Sequence, residues 1–416
     1  MEGNKITLLY LAIIIGFYSA WSIGANDVAN SMATVVGSRA LTLRRAIIIA
    51  GIFEFLGAFL VGSHVTDTVR KGIIDPLFFA SQPELLAYGM FSALLAAALF
   101  QHTATFFGLP VSTTHAIVGS LFGFGLIGAG VGSVNWGKIG IISSGWVISP
   151  LLGATVAFIL FNIIRKLIFA KEQPYNAAVK VAPFLVLVQF TTISLSIIYK
   201  GLKNLHLDFP FSQALSISLL VGGLGAYIAW MVVKSDRALP DQKEQFEKVQ
   251  KIFAHLQIYT ASYIAFAHGA NDVANAIGPV AAIFSIFQTN TIIMKVTVPI
   301  WILILGGIGI VIGLSTYGYK VIETIGKKIT EITPTRGFAA EFSTATTVLI
   351  FSKLGLPIST THTMVGSVIG IGFARGIATL NLHVIRNIIT SWLITIPTAA
   401  ILTVIIYKVI LFIANL

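Results

Sequence analysis

"GLPVSTTHAIVGSLFGFG" occupies Gly108–Gly125 and "GLPISTTHTMVGSVIGIG" occupies Gly355–Gly372, identical at 12 of 18 positions. Each copy places a proline and three consecutive hydroxyl side chains inside an otherwise apolar run. A second pair accompanies the first: "GANDVAN" stands at Gly24–Asn30 and again, letter for letter, at Gly269–Asn275. Within each pair the order is the same, and the spacing is 84 residues (24 to 108) against 86 (269 to 355). Two long motifs repeated in order and register mark an internal duplication.

The medium around these motifs follows from composition. Of 416 residues, 56% are hydrophobic and 10% charged, whereas soluble domains carry roughly 25% charged residues. Apolar runs of bilayer-crossing length, roughly 17–25 residues, recur at Ile6–Ile23, Ala46–Gly62, Ile139–Ile164, Ala214–Val233 and Ile388–Ala414, among others. They are too long and unbroken for the alternating strands of a β-barrel. The chain reads as an all-α polytopic membrane protein with about ten to twelve transmembrane helices, broken helices and re-entrant hairpins included. The net charge of +11 is read as basic residues retaining loops on the cytoplasmic side, with no nucleic acid involved. Cysteine is absent, which excludes a disulfide framework and thiol chemistry. The N-terminal apolar run leads straight into the first GAND motif and is read as a helix of the repeat, not a cleaved signal.

The chain divides into a first transmembrane half at 1–232, a polar linker at 233–253 and a second transmembrane half at 254–416. The linker predicts a soluble loop with a short exposed helix over Asp241–Lys251, and Phe246, Val249 and Phe253 are expected to pack on the protein. Basic residues orient the halves. Arg39, Arg44 and Arg45 follow the first GAND motif, whereas Lys295 stands alone after the second. One span later the bias reverses: Lys320, Lys327, Lys328 and Arg336 answer a mixed-charge loop around Arg70 and Lys71. Equivalent loops on opposite sides are the signature of two inverted-topology repeats. The same rule puts the linker inside and both termini outside, extracellular or periplasmic, in a cell (plasma or inner) membrane.

Four acids fall within apolar spans: Asp27, Glu54, Asp272 and Glu341. Ionisable groups at that depth are costly and usually mark ion or substrate pathways. A glycine followed by Asn-Asp predicts that the GAND helices unwind and free carbonyl oxygens. Asp27 with Asn26 and Asn30, and Asp272 with Asn271 and Asn275, then offer hard, oxygen-rich sites suited to a small cation. The tips have the opposite polarity. Pro110 and Pro357 end a helix, and Ser112 and Ser359 are good N-caps for the next one. Ser112, Thr113 and Thr114, with Ser359, Thr360 and Thr361, would then surround one pocket where two helix N-termini favour an anion. A tetrahedral oxyanion supplies the acceptors. Gly119, Gly123, Gly366 and Gly370 are read as close-packing positions, His115 and His362 as braces of the tips, and Gln189 as an interhelical hydrogen bonder.

The paired "GANDVAN" and "GLP(V/I)STTH" motifs, in this order and spacing, resemble the inorganic phosphate transporter (PiT) family of sodium–phosphate symporters over essentially the whole chain outside the linker. The resemblance implies sodium-coupled uptake of inorganic phosphate by an elevator-like, alternating-access transporter that is not an enzyme and carries no cofactor besides Na⁺ as coupling ion. It implies that Asp27 and Asp272 serve cation binding, that Ser112 and Ser359 with their threonine neighbours serve phosphate binding, and that Glu54 and Glu341 are important. Taken with the residue reading, the expected sodium set is Asp27, Asn30, Asp272, Asn275, Glu54 and Glu341, and the expected phosphate set is the two tips with Asn26 and Asn271. A homodimer is one assembly open to it. One departure stands out: family members often carry an acid in the first half matching Glu341, where this chain has Met90 or a neighbour, and Glu54 lacks an acidic partner in the second half. Proton-coupled symport, metal–phosphate symport and transport of another oxyanion such as sulfate remain alternatives. A channel fits paired closed tips less well. An intramembrane enzyme would need a close Asp–His pair with a nucleophile or metal, which no single motif supplies.

Overall fold

Backbone N–H and C=O groups in hydrocarbon must be satisfied within the chain, and the regular structure is helical accordingly. A computed structural model describes residues 2–61, 72–200, 209–233, 241–292, 298–353 and 358–414. Among them a lone antiparallel bridge, Ile74 with Val134, is the one extended pairing. The helices are α1 (Glu2–Asp27), α2 (Ala29–Gly37), α3 (Leu43–Val61), α4 (Pro83–Phe106), α5 (Thr113–Ala129), α6 (Trp136–Ile164), α7 (Pro174–Lys200), α8 (Phe211–Val232), α9 (Gln242–Thr289), α10 (Ile300–Thr316), α11 (Tyr319–Glu323), α12 (Pro334–Lys353), α13 (Thr360–Arg375) and α14 (Leu382–Ile413).

Seven stretches among the described residues are long and apolar enough to cross a membrane, and an eighth if the segments Ile300–Thr316 and Tyr319–Lys328, bent by 57°, form one span. The expected ten to twelve included the tip helices α5 and α13, which have 17 and 16 residues and are short of the roughly 20 needed to cross alone. Each instead folds back on its neighbour, α4 with α5 and α12 with α13, making two helical hairpins.

The packing is reciprocal between the halves. α1 lies on α10 and α9 lies on α3; α5 lies on α14 and α13 lies on α6. The glycines show why. A Cβ at Gly24 would stand 2.1 Å from the carbonyl oxygen of Ile310, and one at Gly269 would stand 2.0 Å from that of Glu54. Likewise Gly119 and Gly123 meet the backbone of Ile396 and Ala400, while Gly366 and Gly370 meet that of Pro150 and Ala154. Small residues let membrane helices approach to backbone contact. α7 and α8 pack on each other and have no counterpart among the described residues of the second half.

Two expectations are corrected. The GAND helices do not unwind: α9 passes through Gly269–Asn275 without interruption, and α1 and α2 are separated by Val28 alone, itself in helical conformation. The motif glycine serves backbone contact with a neighbouring helix, so no carbonyl ladder is opened. The marked bend lies instead at Tyr317 and Gly318, between α10 and α11. The linker helix is also not short. Asp241 caps it by accepting from the Lys243 N–H (3.0 Å), and it continues as α9 for 48 residues, about 72 Å. Val249 and Phe253 are buried as expected, and Phe246 stacks on Phe169.

Candidate functional site

The hairpin tips form as their sequence dictates. α4 ends at Phe106, Gly108 takes φ +67°, a conformation open to glycine, and the chain turns through Pro110. Ser112 then caps α5 by accepting from the His115 N–H (3.3 Å), with φ −86° and ψ 120°. Ser359 caps α13 by accepting from the His362 N–H (3.2 Å), with φ −91° and ψ 120°. Pro357 lies outside the described residues, as does the side chain of Lys353. With the third and fourth N–H groups bonded to the capping serine, the first two of each helix stay outside its hydrogen-bond ladder.

The tips meet. The His115 and His362 rings cross edge to face with centroids 4.4 Å apart, His115 lies against Trp146, and His362 stacks on Trp392 at 3.8 Å. The Trp392 indole N–H donates to the Pro110 carbonyl (3.0 Å). Both histidines thus brace the tips. Gly24–Asn30 bears on the same place. Asn26 donates to Thr105 Oγ1 (2.9 Å) and to the Leu109 carbonyl (3.0 Å) and accepts from the Val111 N–H (3.1 Å). Its amide clasps the first tip.

Asp27 is where the two hairpins converge. It accepts from Thr113 of the first tip and from Thr361 of the second (3.3 Å), and Asn30 donates to both Asp27 Oδ1 (3.3 Å) and Thr361 Oγ1 (2.9 Å). In the other half Asn275 donates to Asp272 Oδ1 (3.0 Å), repeating the Asn30–Asp27 pair. The carboxylates are inequivalent, however: the Asp27 side chain is 2% exposed and that of Asp272 14%, while Thr114 and Thr360 are half-buried. Asn271 and Thr360 line a small cavity with His268 and Thr344.

His268 joins the two aspartates and is absent from the sequence-predicted set. Its Nε2 lies 3.4 Å from Asp27 Oδ2 and 3.1 Å from Asp272 Oδ2, and its Nδ1 lies 3.4 Å from Glu54 Oε2, with all but Asp272 buried. Ligand atoms of Asp27, His268 and Asp272 fall within 4.8 Å of one another. The signal was present in "FAHGANDVAN": a histidine precedes the second GAND motif, where the first has Ile23. Glu54 touches this histidine, yet neither carboxylate oxygen has an aligned hydrogen bond. Buried polar atoms left in that state call for an explanation: a cation on the Nε2 side of the ring, between Asp27, His268 and Asp272, is chemically suited to those three, while Glu54 faces the opposite ring nitrogen, Nδ1.

Glu341 is not part of this cluster. It accepts from Thr34 and from Gln257 Nε2 (3.0 Å), and its Oε2 is unsatisfied. Thr34 and Gln257 are seven and eleven residues from Asp27 and His268 along their helices, about 10 and 16 Å. The reciprocal packing also fixes the counterparts of the two glutamates. Gly24 faces Ile310 as Gly269 faces Glu54, so Ile310 stands where Glu54 would be. Counted back from Ser112 and Ser359, Glu341 falls opposite the buried Leu94, one turn beyond Met90.

With this geometry in view, the comparisons are unambiguous. The profile of the phosphate transporter family matches residues 23–403. The chain belongs to the phosphate transporter family. A protein of Pyrococcus abyssi with the provisional name phosphate permease is 48% identical, covering 96% of this chain and 97% of that one. The chloroplastic inorganic phosphate transporter 2-1 of Arabidopsis thaliana is 45% identical over 96% of this chain and 71% of its own. The solved structure of a sodium-dependent phosphate transporter superposes with a TM-score of 0.87 at 44% identity, covering 98% of this chain and 100% of that one. This family member is therefore a multi-pass membrane phosphate transporter and not an enzyme, although it holds a close Asp–His pair, His268 with Asp272 four residues on in the second GAND stretch.

Proposed function

We propose that this transporter couples inward movement of inorganic phosphate to sodium by an elevator-like, alternating-access mechanism built on two inverted repeats. One observation carries the reading: Thr113 and Thr361, from opposite hairpins, both donate to the carboxylate of Asp27. Cation-attracting and anion-attracting groups therefore share one locus. Phosphate is received by the first N–H groups of α5 and α13 and by the serine and threonine hydroxyls, at the positive ends of both helix dipoles. The tip motifs contain no arginine or lysine, so countercharge comes from the cation. A sodium ion at Asp27 and Asp272 turns the threonine oxygens toward itself and releases their O–H groups to phosphate oxygens. Each ligand thereby improves the site for the other, as coupling requires. Two sodium ions with a monoanion carry one net positive charge, which the membrane potential favours by about 2.3 kcal/mol per 100 mV.

The deciding measurement is uptake of ³²P-phosphate into proteoliposomes under imposed Na⁺ or H⁺ gradients. Sodium should drive accumulation, and choline in its place should abolish it; equal drive by protons alone would overturn sodium coupling. The double variant Ser112→Ala with Ser359→Ala should lose uptake, and undiminished uptake would refute the tip assignment. The Asp27–His268–Asp272 grouping favours one alternative, symport of a divalent metal–phosphate complex. Co-transport of ⁵⁴Mn²⁺ with phosphate in the absence of sodium would support it.

A further inference from the structure

We infer that a groove between α7, α8 and the first half of α9 holds one anionic phospholipid. It has a volume of about 790 Å³, within the range of small-molecule sites. Val186 and Phe190 of α7 face Gly225 and Ala229 of α8, and Ile252 and Leu256 of α9 lie between them. Small side chains on α8 leave the space open. The groove's polarity changes along its length. Lys248 and Lys251 stand at one end with Tyr175, His255 follows one turn further along, and the rest of the lining is apolar as far as Tyr259.

This arrangement matches a lipid in register with a bilayer leaflet. The groove opens where α7 starts, α8 ends and α9 carries its polar first turns, so its basic mouth lies on the linker side. From Lys251 to Tyr259 is eight residues of helix, about 12 Å, most of the roughly 15 Å of half a hydrocarbon core. An acyl chain therefore fits the apolar body while the phosphate sits at the lysines. Lys251 and His255 are exposed. Lys248 lies over the Tyr175 ring (5.3 Å) and 3.7 Å from the half-exposed Glu244, and the exposed Glu247 stands one turn before Lys251; the lysines, and neither of these acids, line the groove. Cations at this depth distinguish anionic from zwitterionic headgroups, by about fivefold per lysine and about thirtyfold for two. The groove is separate from the tips and Asp27, and its occupant does not depend on the coupling ion.

The test uses the full-length transporter, delipidated in detergent and titrated with phosphatidylglycerol or phosphatidylcholine, with bound lipid counted by native mass spectrometry. Wild type should retain one phosphatidylglycerol in preference to phosphatidylcholine. Lys248→Ala with Lys251→Ala should lower phosphatidylglycerol affinity about thirtyfold, to the phosphatidylcholine level. Ala229→Phe should fill the groove and expel either lipid while thermal unfolding stays unchanged. Equal binding of both lipids by wild type, or undiminished phosphatidylglycerol binding by the double variant, would overturn the inference. So would displacement by millimolar inorganic phosphate, or disulfide crosslinking of Ala229→Cys chains in membranes, which would put a second copy over the groove.

Discussion

Asp27 shows how one residue gathers the chemistry of both halves. The sequence placed it beside Asn26 and Asn30, and the fold added Thr113, Thr361 and His268. A hydrogen bond to a charged group contributes roughly 1.5–3 kcal/mol, so Thr361→Ala should lower uptake at subsaturating phosphate by about one to two orders of magnitude. Thr361→Ser, which keeps the hydroxyl, should retain most of it. Matched ³²P-uptake rates for the two variants decide this, and equal loss in both would point to packing of the methyl group instead. The histidine was legible only as an unmatched letter before a repeated motif. Its meaning depends on Glu54 arriving from α3, which nothing in the sequence of α9 specifies.

At the scale of the helix, the glycines and the hairpin bases set the geometry. Gly366 faces the Pro150 carbonyl oxygen, 2.2 Å from where a Cβ would lie, and backbone cannot yield as a side-chain end can. Gly366→Ala should destabilise the protein by at least about 1–3 kcal/mol, whereas Gly223→Ala, with nothing within 4 Å, should be neutral or stabilising through helix propensity. Thermal unfolding in detergent compares them. The hairpin bases share one scheme, the Thr379 hydroxyl donating to the Gly372 carbonyl (3.2 Å) as Ser133 does to Gly125, and the Asn381 N–H to the Ile329 carbonyl (2.9 Å) as Asn135 does to Ile73, and each adds contacts of its own. The first adds the Ile74–Val134 bridge. The second adds Glu331, which accepts from Arg336 (3.0 Å) and Arg375 (2.9 Å). Arg336 above all, and then Arg375, hold the Glu331 carboxyl below the ordinary glutamate range. A carboxylate with a depressed pKa adds stability that is present above its unfolded value, roughly pH 4.3, and lost as pH falls through the folded value. The difference in unfolding temperature between wild type and Glu331→Gln should therefore be constant near neutrality and shrink below about pH 4. A difference that stays constant as the pH falls, or that grows, would rule out this clamp.

The whole molecule is two repeats that exchange partners. Each GAND helix packs on a helix of the other half, and each tip helix packs on the other half's long helix, so neither half encloses a site alone. This is why Asp27 of the first half meets Thr361 of the second. The orientation of the molecule rests on charge: the linker is the most polar stretch and should face the cytoplasm. The cysteine-free chain makes this simple to check with Lys243→Cys, at an exposed position. A membrane-impermeant maleimide should label it only after permeabilisation, and labelling of intact cells would reverse the topology. Binding of sodium should raise phosphate affinity and phosphate should raise sodium affinity by the same factor, which paired equilibrium titrations of the purified transporter can measure.

Composition, periodic apolar runs and two duplicated motifs were enough to read a helical membrane protein with paired, serine-capped tips. Those features are local: a run of apolar residues, a proline that stops a helix, a serine three residues before the N–H it accepts. The tertiary structure decided what depends on contacts between distant helices. It kept the GAND helices wound, because Gly24 and Gly269 are needed for backbone approach to Ile310 and Glu54 and not for a break. It set His268 among Asp27, Asp272 and Glu54, and it placed Glu341 with Thr34 and Gln257. Repetition in the sequence predicts equivalent halves. The isoleucine and leucine opposite Glu54 and Glu341, and the unmatched histidine, become an asymmetric charge cluster only when both halves fold around one centre.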